Sequence, residues 1–209
     1  MRTILLLAAC TAALTACAGN EAAVRASAAR AFDEGARTYA FATDSATASD
    51  AATEAYASAI ERRLTELGFA ATPAQTAHFR IALSHETRPA SVGIDYARCA
   101  EAMPCGAPVL PPGFEWPGRK AYVHSLTLRF FDLADGREAY KVSATKRDRA
   151  PDARDDVDDL VVSALARLPF AGIDAATGGS EGKTDWKVTL SQPDAGGAVR
   201  IKGIAPLAR

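Results

Sequence analysis

The sequence lacks the short signatures that mark catalysis on phosphates, esters or peptides. No HExxH pair, P-loop, GxGxxG turn or nucleophile elbow occurs in its 209 residues, which leaves zinc proteases, nucleotide binders and serine hydrolases without their motifs. The stretch Gly178 to Lys183 is glycine-rich but has the wrong spacing for a phosphate loop and follows no hydrophobic strand, so it reads as a linker. Histidine is scarce, at His78, His85 and His124 only. Each falls in a strand-like stretch, and His85 and His124 could meet if their strands neighbour each other on one face, but two histidines without a carboxylate do not make a site; all three read as half-buried or surface strand residues. An excess of one charge is also missing. The 24 basic and 25 acidic residues leave a formal charge of -1, so no global field attracts nucleic acid. Nor does any apolar run approach the roughly 20 residues a helix needs to cross a bilayer.

The apolar run that is present lies at the N-terminus. Arg2 precedes Ile4 to Leu14, a stretch of about ten residues that suits the core of an export signal. Leu14-Thr15-Ala16-Cys17 follows and resembles the lipobox of bacterial lipoproteins. The resemblance implies cleavage after Ala16, thioether lipidation of Cys17 and acylation of its freed amine. Three acyl chains, at about 0.8 kcal/mol per buried methylene, make an effectively permanent anchor. Leu7-Ala8-Ala9-Cys10 fits the same pattern, but cleavage there leaves an apolar core of only about six residues, below the usual 7–15. Ala18 in place of Asp points, by analogy with Gram-negative lipoproteins, to the periplasmic face of the outer membrane. The expected organisation is a signal peptide over 1–16, a lipidated N-terminus and flexible tether over 17–30, and one periplasmic domain over 31–209, with a long loop at 88–120 and a C-terminal extension at 173–209.

Within that domain, Thr38 to Ala42 is a short aromatic and β-branched run that suits a strand. Ser49 or Asp50 can cap a helix in which Tyr56, Ile60, Leu64 and Leu67 share a face, with Gly68 as its stop. His78 to Glu86 alternates, placing Phe79, Ile81, Leu83 and His85 together, and Tyr122 to Phe131 does the same with Leu126, Leu128 and Phe130. Asp135-Gly136 turns the chain into Glu138 to Lys146, completing a hairpin. A second helix is expected from Ala153 to Leu168, ended by Pro169, and Trp186 to Leu190 is a candidate last strand. The fold class is therefore α+β: a mainly antiparallel sheet in the order β-α-β-β-β-α, with two amphipathic helices packed on one face. The other face carries Arg80, Ser125, Thr127, Arg129, Lys141, Ser143 and Thr145, so it is wet or it binds something.

Tyr39 and Phe41, Leu67-Gly68-Phe69, Phe79 to Leu83, Phe131-Asp132 with Gly136 and Tyr140, and Leu168-Pro169-Phe170 together resemble the bacterial envelope lipoproteins of the domain of unknown function 4136 family. The likeness spans roughly residues 37 to 172 and implies an envelope location and an α+β fold, with no reaction attached.

Two further features concern chemistry. Cys99 and Cys105 lie close in sequence, and in an oxidising periplasm a disulfide between them would shape a small loop; metal binding by the pair would need two more ligands, and no His or Cys lies near. Asp152, Asp155, Asp156, Asp158 and Asp159 crowd the start of the second helix, where exposed amides and the macrodipole favour negative charge. Phe114 and Trp116 sit in the long loop and, with Arg80 and Arg129, make a candidate binding surface; the loop is either a lid over the sheet or a surface for a partner. No cofactor or metal is implied. The expected function is that of a non-enzymatic, lipid-anchored envelope protein that binds a protein or cell-wall partner. A small-ligand or lipid carrier is the alternative, and a hydrolase a distant third.

Overall fold

The computed structural model describes residues 20–28, 36–42, 50–90, 120–168, 182–191 and 198–207. The strands are β1 (Asn20–Ala28), β2 (Thr38–Phe41), β3 (Ala70–Ala71), β4 (Phe79–Pro89), β5 (Tyr122–Asp132), β6 (Glu138–Asp148), β7 (Gly182–Leu190) and β8 (Ile201–Pro206). The helices are α1 (Ala51–Glu66) and α2 (Val157–Ala164), the latter entered through a 3-10 turn at Arg154–Asp156.

Local chemistry sets the ends of α1. The Asp50 carboxylate accepts the Thr53 N–H at 2.7 Å, satisfying one amide the first turn leaves open. Gly68 then turns the chain with φ +81°, a conformation that costs a side chain steric strain. The strands β4, β5 and β6 form an antiparallel meander in which Ile81 faces Phe130, and Phe130 faces Tyr140. Gly136, at φ +72°, sits in the turn of the hairpin. Both helices lie on one face of the sheet: Tyr56 of α1 stacks on His85, and α2 packs over β1, β5 and β6. Between helices and sheet lies a single core that includes Ile60, Leu64, Ile81, Leu126, Leu128, Phe130, Val142, Leu160 and Trp186.

The full sheet runs β3-β2-β4-β5-β6-β1-β7-β8, and this corrects several expectations. The order is longer than β-α-β-β-β-α, and the sheet is mixed, because β2 runs parallel to both β3 and β4. The largest correction concerns residues 17–30, expected as a tether. Residues 20–28 form β1, which pairs with β6 on one side and β7 on the other. Ala22, Ala23, Val24 and Ala26 are buried there. Alanine is mildly disfavoured in strands, so the segment gives little local signal; its two neighbours supply the pairing and the burial. The extension 173–209 carries β7, which takes in the candidate strand Trp186 to Leu190, and β8; the domain therefore begins before residue 31, its expected start. Gly182 and Lys183, expected as linker, open β7. The second helix is shorter than 153–168: its first turn is 3-10, and turns replace helix after Ala164. The signal segment, Cys10, Cys17, Cys99, Cys105, Phe114, Trp116 and the Pro169-Phe170 pair lie outside the described residues.

Candidate binding face and the buried ion cluster beneath the helices

The period of two along each strand sends one set of side chains toward the helices and the other to the opposite face. Among the described residues no helix covers that second face. Arg80 and Ser84 stand on it from β4, and Ser125, Thr127, Arg129 and Phe131 from β5. Lys141, Ser143 and Thr145 come from β6, Arg25 and Ser27 from β1, and Asp185 and Lys187 from β7. Arg80 and Arg129 are thus brought to one surface, as alternation requires, and both are exposed. The centre is a strip of hydroxyls, with Thr127 Oγ1 2.9 Å from Ser143 Oγ across β5 and β6; the short side chains of Ser143 and Thr145 are themselves buried at its floor.

Ion pairs organise the rim. Arg25 grips Asp185 through two hydrogen bonds of 2.7 and 2.8 Å, the bidentate geometry that suits a guanidinium and a carboxylate, and this contact holds the Arg25 pKa above its ordinary value. Lys187 meets Glu21 at 2.9 Å. Arg129 pairs with Glu138, and its guanidinium lies 4.9 Å from the centre of the Phe131 ring.

The helix side holds a second polar assembly. Tyr140, Val142, Ala144 and Lys146 share an inward parity on β6, so Lys146 points into the interface below α2. Its ammonium donates to Asp156 at 2.6 Å and to Asp159, and Asn20 of β1 donates to the same Asp159 at 2.8 Å. These two aspartates therefore serve mainly as counter-ions to a partly buried lysine, and neither caps the helix: Asp156 stands at the cap position of α2 without a side-chain cap bond. Burial raises the Asp156 pKa against the pull of Lys146. Burial would lower the Lys146 pKa, but the hydrogen bonds the ammonium donates to both aspartates, and their negative charge, outweigh it and the net shift is upward. Of the remaining acidic cluster, Asp158 ties α2 to Arg62 of α1 at 2.8 Å.

His124 sits at the edge of this assembly and is fully buried, which corrects the expectation of a half-buried or surface residue. Its Nε2–H donates to the Ala150 carbonyl at 3.1 Å, and Nδ1 lies 2.9 Å from the Thr87 hydroxyl, so both ring nitrogens have partners. Asp156 Oδ2 is 3.6 Å from Nε2. His85 shares the same face but is engaged elsewhere, stacking on Tyr56 and lying 3.1 Å from Thr53 Oγ1; in register, His124 stands opposite Thr87. His78 lies 3.7 Å from Asp132. Among the described residues no group of three or more His, Cys, Asp or Glu is placed to hold a metal ion, and no helix is long and apolar enough to cross a membrane. Sequence reasoning missed the ion cluster, although a lysine at inward parity four residues past Val142 was the signal that a carboxylate partner must lie above it.

Comparison with known proteins gives one family match. The profile of the domain of unknown function DUF4136 matches residues 24–170. No curated protein matches by sequence. Among solved structures, a PelC L103M dodecamer from Paraburkholderia phytofirmans aligns at 14% identity and TM-score 0.45, over 72% of this chain and 99% of that one. A second PelC dodecamer structure from that organism aligns at 15% identity and TM-score 0.43, over 70% of this chain and 96% of the other. A PDZ domain protein from Parabacteroides distasonis aligns at 16% identity and TM-score 0.44, over 88% of this chain; the chain spans 43% of that protein's length.

Proposed function

The chain belongs to the DUF4136 family, and from that premise we propose that it is a non-enzymatic, lipid-anchored envelope protein that binds a protein or cell-wall partner through the uncovered sheet face. One observation carries this reading. The two helices among the described residues lie on one face of an eight-stranded sheet, while the other carries a hydroxyl strip bordered by charged side chains on strands, a rigid arrangement that suits recognition. The lipid on Cys17 would hold this face in the periplasm, at the outer membrane of a Gram-negative cell, and would limit its reach to partners near that membrane.

A photocrosslinking amino acid tests the face. Placed at Ser84, exposed on β4, it should capture a discrete envelope partner in intact cells; placed at Ala55, exposed on α1, it should not. Equal capture from both positions, or capture from Ala55 alone, would refute the assignment of the face.

A further inference from the structure

The face turned away from the described helices carries basic side chains on each of five consecutive strands, and the register sets one from each in a row. Arg80 on β4 lies opposite Phe131 of β5. Arg129, two residues before Phe131 on the same face, lies opposite Lys141 of β6. Lys141 lies opposite Ser27 of β1, and Arg25 is the next residue on that face. Arg25 lies opposite Asp185 of β7, and Lys187 is the next there. The row therefore descends diagonally. It starts at the level of Phe131 and ends at the level of Ser125, because Lys187 opposes Ala23, Ala23 opposes Thr145, and Thr145 opposes Ser125. At about 4.8 Å between strands and about 3.3 Å per residue, the diagonal is roughly 28 Å long.

Three of these cations have carboxylate partners: Arg129 with Glu138, Arg25 with Asp185 and Lys187 with Glu21. Arg80 and Lys141 have no ion pair among the described residues. The positions of Arg129 and Lys141 matter most. They stand directly opposite on neighbouring antiparallel strands, where like charges repel and weaken the sheet. The Arg129–Glu138 pair offsets part of this repulsion, and an anion laid across Arg129 and Lys141 would relieve the rest.

We propose that this diagonal seats an extended acidic peptide segment of a protein partner, whose carboxylates are read by Arg80, Arg129 and Lys141. Neighbouring cations along the row are separated by roughly 5 to 8 Å at their backbones. Same-side residues of an extended peptide repeat at about 6.6 Å, so carboxylates at alternate positions match the row. Phe131, half-buried between Arg80 and Arg129, offers an apolar platform for an intervening side chain. The inference rests on the sheet-face reading above and names the chemistry of its partner.

The test is fluorescence anisotropy with the full chain in detergent micelles. The probe is a labelled peptide of alternating glutamate and serine, about twelve residues long, enough to span the row. It should bind, its affinity should fall steeply with added salt, and Arg80→Ala with Lys141→Ala should weaken it about tenfold or more while circular dichroism stays unchanged. A matching lysine-serine peptide should not bind. The proposal is overturned if the glutamate peptide does not bind, if the double variant binds it as wild type does, or if an oligouronate of similar length binds more tightly. Crosslinking from Ser84 separates the two levels of the claim: capture that persists undiminished in the double variant keeps the face and removes the acidic peptide, whereas loss of all capture from the wild-type chain removes both.

Discussion

Val24→Asp should leave the domain without a cooperative unfolding transition. Val24 is fully buried at the centre of β1, facing Ala144 of β6 on one side and Trp186 of β7 on the other, beneath α2. An aspartate there places an unpaired carboxylate in an apolar interface, and the cost, at least about 4 kcal/mol, approaches the whole stability of a domain of this size, about 5–15 kcal/mol. Urea unfolding followed by tryptophan fluorescence reports it directly, because Trp186 is in the core. A flexible tether over residues 17–30 makes the opposite forecast: a charge at position 24 would leave the midpoint where it was. The same experiment thus decides whether the family domain is held together by the strand at its N-terminal limit.

Lys146→Met should destabilise the folded state by about 3–5 kcal/mol, the range for removing one partner of a buried ion pair. The substitution keeps most of the side-chain volume but strands Asp156 and Asp159, both buried, with Asn20 as the remaining amide donor to one of them. Adding Asp156→Asn and Asp159→Asn to the same chain should recover much of the loss, since neutral amides no longer need the ammonium. A drop of less than 1 kcal/mol for Lys146→Met, measured by urea denaturation, would mean that water and not the lysine satisfies the cluster.

The elements with large side chains in strict alternation are legible in the sequence itself. Phe79, Ile81 and Leu83 on β4 and Leu126, Leu128 and Phe130 on β5 can satisfy only one arrangement, one face to the core and one to solvent. The capped helix from Asp50 to Gly68 is equally plain, because its start and stop are both local chemistry. Structure whose cause is non-local leaves no such trace. β1 is built largely from alanine, and only the flanking β6 and β7 make it a strand. β8 reads Ile-Lys-Gly-Ile-Ala-Pro, and its glycine and proline argue for a loop until β7 offers an edge to pair with. The open face divides in the same way. Arg80, Arg129 and Lys141 follow from alternation, whereas Arg25 and Lys187 join them only because β1 lies between β6 and β7. His124 reads as a half-buried or surface histidine because its partners, Thr87 and the Ala150 carbonyl, lie on separate segments brought together by the sheet.

The proposed compartment and the proposed partner both depend on lipidation of Cys17, which makes that modification the central claim to measure. Cells expressing the wild-type chain or Cys17→Ala are labelled with radioactive palmitate, and the protein is recovered and resolved on a gel. Strong labelling of the wild type and none of the variant is the expected result, with the variant's mobility that of an uncleaved precursor. Labelling of Cys17→Ala at the wild-type level, through Cys10 or any other residue, would contradict it.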